Sequence, residues 1–161
     1  MNSQSLTFVL YSNPQLKDPF DAATAERFLV YRQLVRSLTS IDAQGALSGD
    51  LAKSWKASGD HRVFTFELND GKWSDGMRVL ASDFVRTFIE GKKAPFSVHF
   101  DHSKVKKVSA PNDYTFEIEF TKPHPNALYQ LSLPEDGLLY RRDFEHTDPR
   151  LFRITPGAYS F

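Results

Sequence analysis

Two stretches of the chain alternate apolar and polar residues with a period of two. Val63–Leu68 places Phe64, Phe66 and Leu68 on one face and Thr65 and Glu67 on the other, and Asn69-Asp70-Gly71 ends the run. Tyr114–Phe120 sets Tyr114, Phe116, Ile118 and Phe120 against Thr115, Glu117 and Glu119, after the turn signal Pro111-Asn112-Asp113. Lys104–Ser109 is its expected hairpin partner. Half-buried antiparallel strands carry such alternation. The pattern therefore predicts one buried layer of Phe64, Phe66, Phe116, Ile118 and Phe120, covered by Phe84 and Phe88.

Elsewhere the period is helical. Phe28, Tyr31, Leu34, Val35 and Leu38 recur at three- and four-residue steps, predicting an amphipathic helix capped at Asp21 or Thr24 and over by about Thr39. A second helix is expected after Ser82, which can cap it, with Asp83 in its first turn. It buries Phe84, Val85, Phe88 and Ile89, closes at Gly91 and is barred from continuing by Pro95. Leu6–Tyr11 reads as a strand ended by Ser12-Asn13-Pro14, and Ala127–Leu133 as a short helix or extended stretch between prolines. Turns are expected at Lys17-Asp18-Pro19, at Asp42-Ala43-Gln44-Gly45 and at Trp73-Ser74-Asp75-Gly76, where Gly76 is available for a positive φ. The elements together predict a mixed α/β fold.

Composition narrows the function classes. A chain of 161 residues is one domain or a slice of something larger, and 14% aromatic content supplies ample core. Twenty basic residues balance twenty acidic ones, so no global field draws in nucleic acid or an anionic membrane. Without cysteine there is no disulfide, thiolate metal site, Cys nucleophile or lipid-modified Cys. Met1–Ser5 shows no signal-peptide pattern, and apolar runs are far too short for a membrane span. The aromatic ending Tyr159-Ser160-Phe161 reads as the start of a further strand, so the chain is expected to have been cut at Phe161.

Candidate chemistry is sparse. His99, Asp101 and His102 are metal-capable, but a site needs three or four convergent ligands and no clear partner is visible. Lys92, Lys93, Lys104, Lys106 and Lys107 resemble a phosphate patch, yet lysines guarding a hairpin edge look the same. Asp70, Asp75 and Asp83 stand around Trp73 at turns and a helix start, which are structural posts for Asp, and nothing indicates the convergence that acid/base work needs. Trp55 and Trp73 are read as core rather than as ligand-stacking rings. No nucleophile elbow, phosphate loop or zinc-protease helix occurs, so neither an enzyme nor a cofactor is expected.

Four ordered elements between residues 49 and 85 carry a family resemblance. They are Gly49-Asp50-Leu51-Ala52-Lys53-Ser54-Trp55, Val63-Phe64-Thr65-Phe66-Glu67-Leu68, Lys72-Trp73-Ser74-Asp75-Gly76 and Ala81-Ser82-Asp83-Phe84-Val85. This series resembles the extracellular solute-binding proteins of the peptide/nickel class, the receptors of oligopeptide and dipeptide ABC importers. Their pattern reads approximately P-x-L-A-E-S-W, Y-T-F-x-L-R and K-W-S-D-G-x-P-x-T-A-x-D-V. Val108–Ile118, Lys122-Pro123-His124-Pro125 and Ile154–Tyr159 are similar to later family segments. The chain departs from the pattern at Gly49-Asp50 (for P-x), Asn69 (for Arg), Arg78 (for Pro) and Ala158 (for Pro).

The resemblance implies a partial first lobe of a two-lobed binding-protein fold, with an inserted antiparallel-sheet subdomain. Residues 1–47 and 155–161 would belong to the lobe's main sheet and 48–154 to the smaller α+β insertion, the second lobe lying beyond Phe161. It implies a periplasmic or extracellular protein that binds a peptide or other small solute and delivers it to a membrane ABC permease. The implied ligand contacts are backbone groups at Ala23, Thr24 and Ala25, with Asn13 a weaker candidate at the cleft mouth; Thr24 serves equally as a helix cap, whereas Asn13 reads first as a turn residue before Pro14. A different cargo (nickel complex, sugar or opine) and the sensor domain of a transcriptional regulator are the alternatives. A lobe without its partner leaves strands and an apolar face uncovered, so self-association is expected as well.

Overall fold

The computed structural model of the chain describes residues 29–30, 33–93, 100–133, 137, 141–143 and 154–157. Strands β3 (Ala52–Ala57), β4 (Val63–Leu68), β5 (Val105–Asn112) and β6 (Thr115–Phe120) form an antiparallel sheet in the order β3-β4-β6-β5. Two shorter strands, β1 (Thr39–Ile41) and β2 (Leu47–Gly49), pair as a separate hairpin. Helix α1 (Ala81–Gly91) covers one face of the sheet, and a one-turn helix α2 (Ala127–Gln130) packs near β1.

The alternation read from the sequence is the alternation of the sheet. Phe64 lies opposite Ile118 and Phe66 opposite Phe116, and all four are at most 1% exposed. Phe116 is central: its ring stacks on Phe88 at 5.6 Å and lies 5.4 Å from Phe84 and 6.2 Å from Phe66. The expected layer and its helical cover are therefore both present. On the other face the polar residues bond across the strands, Thr115 Oγ1 donating to Glu67 Oε1 at 3.0 Å. Lys106 and Lys107 lie exposed on the edge strand β5, where charge discourages strand addition.

Several boundaries differ from expectation. The first helix ends at Leu34, because the following residues are engaged elsewhere: Ser37 N–H donates to Asp50 Oδ2 at 2.9 Å, and Leu51 and Ala52 donate to the carbonyls of Ser37 and Leu38. Tyr114 belongs to the β5–β6 turn rather than to the strand. Helix α1 starts at Ala81 with Leu80 as its N-cap, so Ser82 does not cap it. Asp83 accepts the Leu80 N–H at 2.9 Å instead. Ile89, expected inside, points outward and is 42% exposed. The strand expected at Leu6–Tyr11, the turn at Lys17-Asp18-Pro19, Pro95 and the start of the first helix lie outside the described residues.

Gly91 is the last residue of α1, and it must be glycine for a reason that the sequence pattern does not carry. Its φ is not among the positive ones, but a Cβ there would meet the His102 imidazole at 2.3–2.8 Å. The ring packs directly on the glycine, edge-on to Phe88 at 5.6 Å and to Phe100 at 5.0 Å. Burial, reinforced by the nearby Lys92 ammonium and opposed by Asp101, lowers the His102 pKa from 6.5 to about 4.

Two predictions follow from this packing. Phe116→Ala costs about 3–5 kcal/mol in urea unfolding, whereas Ile89→Ala costs less than about 1 kcal/mol. A loss below about 1 kcal/mol for Phe116→Ala would refute the face assignment. For His102 the unfolded chain binds a proton below pH 6.5 that the folded chain refuses until about pH 4. Stability contributed by the neutral ring is thus complete above pH 6.5 and is lost as pH falls through that window, by up to about 3 kcal/mol. Unfolding curves for the native chain and His102→Leu should diverge in pH slope between those limits, and parallel slopes would count against the assignment.

Candidate functional site

The ligand-contact positions implied by the resemblance, Asn13, Ala23, Thr24 and Ala25, lie outside the described residues. The described residues nearest downstream of them are helical, at 29–30 and 33–34. Gly157 fits tightly against the end of this helix. Its N–H donates to the Leu34 carbonyl at 2.9 Å, and a Cβ would come within 2.5 Å of the Gln33 and Leu34 backbone. Only glycine permits that approach.

The same segment reaches the turn Trp73-Ser74-Asp75-Gly76. Ser74 N–H donates to the Thr155 carbonyl at 2.8 Å, and Thr155 N–H donates to Ser74 Oγ at 3.1 Å. Gly76 holds φ +87°, as the turn signal required, and Asp75 Oδ1 accepts the Met77 N–H at 3.1 Å. The other Asp75 oxygen accepts from Arg141 Nη1 at 2.5 Å, while Asp143 takes the remaining side of the guanidinium at 2.6 and 2.9 Å. Asp143 and Asp75 drive the buried Arg141 further toward its charged form. Burial opposes the charged form of Asp75, but hydrogen bonds from Arg141 and the Met77 amide outweigh it and lower the carboxyl pKa.

Asp83 is the third member of the carboxylate series and is fully buried. It accepts the Trp73 indole N–H at 3.0 Å, the Leu80 amide at 2.9 Å, and both the amide (2.8 Å) and the guanidinium (3.1 Å) of Arg142. These carboxylates converge on arginines and backbone amides, so their arrangement joins segments and does not set up proton transfer. Trp73 is core, and Trp55 is half-buried against that core. Arg141 and Arg142 escaped sequence reasoning because no periodic signal surrounds them; only the fold brings them to Asp75 and Asp83.

The metal reading finds no support in this geometry. His102 is buried in aromatic surroundings, Asp101 accepts the Ser103 amide, and His99 lies outside the described residues. Among the described residues no group of three metal-capable side chains converges. The lysine stretch is likewise committed: Lys92 donates to the Val105 carbonyl, and Lys93, Lys104 and Lys106 pair with Glu90, Asp101 and Glu119.

One open recess of about 490 Å³ lies at the β3 and β4 ends of the sheet, lined by Lys53, Leu68, Asn69, Asp70, Arg78 and Tyr114. Arg78 Nη1 donates to the Tyr114 hydroxyl at 2.6 Å and lies 3.4 Å from Asp70. Asn69 and Arg78, two of the departures from the resembled pattern, share this recess. A third is adjacent, since the Asn69 amide donates to the Asp50 carbonyl.

Comparison with known proteins agrees with this architecture. The periplasmic oligopeptide-binding protein OppA of Haemophilus influenzae is 30% identical over 134 residues, spanning 71% of this chain and 25% of that protein. The probable D,D-dipeptide-binding periplasmic protein DdpA of Escherichia coli is 33% identical over 132 residues, with coverages of 78% and 25%. The chain thus spans about a quarter of the length of these curated relatives. Among solved structures, Haemophilus influenzae OppA in complex with the peptide RPPGFSPFR matches with a TM-score of 0.79 at 28% identity, covering 91% of this chain and 33% of that one. Campylobacter jejuni NikZ in complex with Ni(L-His) matches at 0.67 and 32% identity, with coverages of 81% and 27%. Both curated relatives are named as binding proteins. The sequence model of the bacterial extracellular solute-binding proteins, family 5 Middle, matches residues 46–161, and the chain belongs to that family.

Proposed function

We propose that this chain supplies one wall of the ligand cleft in a solute receptor of an ABC importer, with oligopeptides as cargo. The observation that carries the reading is family membership together with relatives named for oligopeptide and dipeptide binding. In this reading residues 1–47 and 155–161 contribute to the main sheet of the first lobe, and 48–154 form the insertion. The contacts of Gly157 with Leu34 and of Ser74 with Thr155 support that division, because they join its parts where the chain crosses between them. Ala23, Thr24 and Ala25 present backbone groups to the peptide main chain, and Asn13 stands at the cleft mouth. Main-chain hydrogen bonding with water in the side-chain pockets suits a receptor that accepts many sequences. The receptor works outside the cytoplasmic membrane, as the periplasmic relatives do, and hands its cargo to a permease.

A cleft gains affinity by enclosing its ligand, and a single wall forfeits much of that gain. Calorimetric titration with mixed di- to pentapeptides, on the 161-residue chain and on a full-length protein carrying it, tests the reading. The full-length protein should bind near micromolar, about −8 kcal/mol, and the chain alone near millimolar, about −4 kcal/mol. Micromolar binding by the chain alone would contradict the one-wall reading. Binding of a nickel complex but of no peptide by the full-length protein would replace the cargo with the kind carried by NikZ.

A further inference from the structure

The recess beside β3 and β4 has chemistry that the cleft reading does not use. Leu68 and Tyr114 are among its lining residues, most of its exposed surface is apolar, and its volume of about 490 Å³ is open to solvent. Its rim is rich in hydrogen-bond donors. The Lys53 ammonium has no partner among the described residues. The Tyr114 hydroxyl accepts from Arg78 and keeps its own proton to donate. Arg78 engages Tyr114 and Asp70 through Nη1, which leaves Nε and Nη2 without a partner among the described residues.

The supporting backbone is already fixed in place. Arg78 bridges Lys72 across the turn that Gly76 closes, and the Leu68 amide donates to the Tyr114 carbonyl at 2.8 Å. Among the described lining residues Asp70 is the one acidic side chain. The Asp70 and Arg78 side chains are 64% and 58% exposed and 3.4 Å apart, so their pair is weak and exchanges readily for a better acceptor. Two cations against one carboxylate leave the rim positive, and a planar carboxylate is the acceptor that a guanidinium fits best.

We propose that this recess binds a small carboxylate with an apolar body, the carboxylate held by Arg78, Lys53 and the Tyr114 hydroxyl and the body laid over Leu68 and the Tyr114 ring. The proposal does not depend on the oligopeptide reading. Asn69 and Arg78 stand where the resembled pattern has arginine and proline, so two of the lining residues depart from that pattern.

Amide-resolved NMR titration of the chain with N-acetyl-leucine tests the site, with the neutral N-acetyl-leucinamide as control. Saturating shifts confined to the amides of 53, 68–70, 78 and 114, with a dissociation constant below about 10 mM, are expected. The amide control, Arg78→Gln and Lys53→Gln should each weaken binding by about threefold or more, and Asp70→Asn should tighten it. All three side chains are exposed or at the rim, and the dispersion of the same spectra reports whether each variant is folded. Equal response to acid and amide, shifts that do not saturate, or an Arg78→Gln variant that binds unchanged would overturn the proposal.

Discussion

The Asp83 carboxylate is the constraint on which the described structure depends most. A buried charge is tolerated only when its lone pairs are filled, and here the donors come from three separate places. Trp73 brings the turn, Leu80 the start of α1, and Arg142 the chain returning some sixty residues later. Satisfying one carboxylate therefore fixes where the helix begins, how the turn lies and where the return segment docks. Arg141, held between Asp75 and Asp143, repeats the arrangement with the signs reversed.

The aromatic layer supplies the apolar counterpart. Phe116 meets Phe66 within the sheet and Phe84 and Phe88 from the helix, so sheet and helix share one ring-packed seam. At the end of that seam His102 rests on Gly91, which ties the start of β5 to the end of α1. Packing this close leaves little room for substitution.

The segments that reveal the family are joints of the scaffold. Leu51, Ala52, Phe64, Phe66, Trp73, Ala81, Asp83 and Phe84 are all buried, and Gly157 presses on the Gln33–Leu34 backbone. Such residues identify a fold because the fold cannot be built without them. They say little about cargo, since none of them is exposed to a solute. The departures from the pattern behave differently: Asn69 and Arg78 meet at a surface recess, where substitution changes chemistry without disturbing the core.

Local pattern was enough to read β4, most of β6, the apolar face of α1 and the two glycine turns at Gly45 and Gly76. Those features depend on residue spacing and on φ, which neighbouring residues already determine. The family and its fold class were legible for a similar reason, because the joints lie close together in the sequence. The early end of the first helix at Leu34, the outward Ile89, and the departure of Tyr114 from its strand were decided by partners distant in the chain. Competing hydrogen bonds to Asp50, the side of α1 that meets the sheet and the β5–β6 turn are tertiary facts. Gly91 and Gly157 looked like any turn or helix-end glycines until His102 and Leu34 arrived against them. Arg141 and Arg142 were silent in the sequence because a charge announces its partner only through space, and the 59 and 66 residues separating them from Asp83 and Asp75 carry no periodic trace of the pairing.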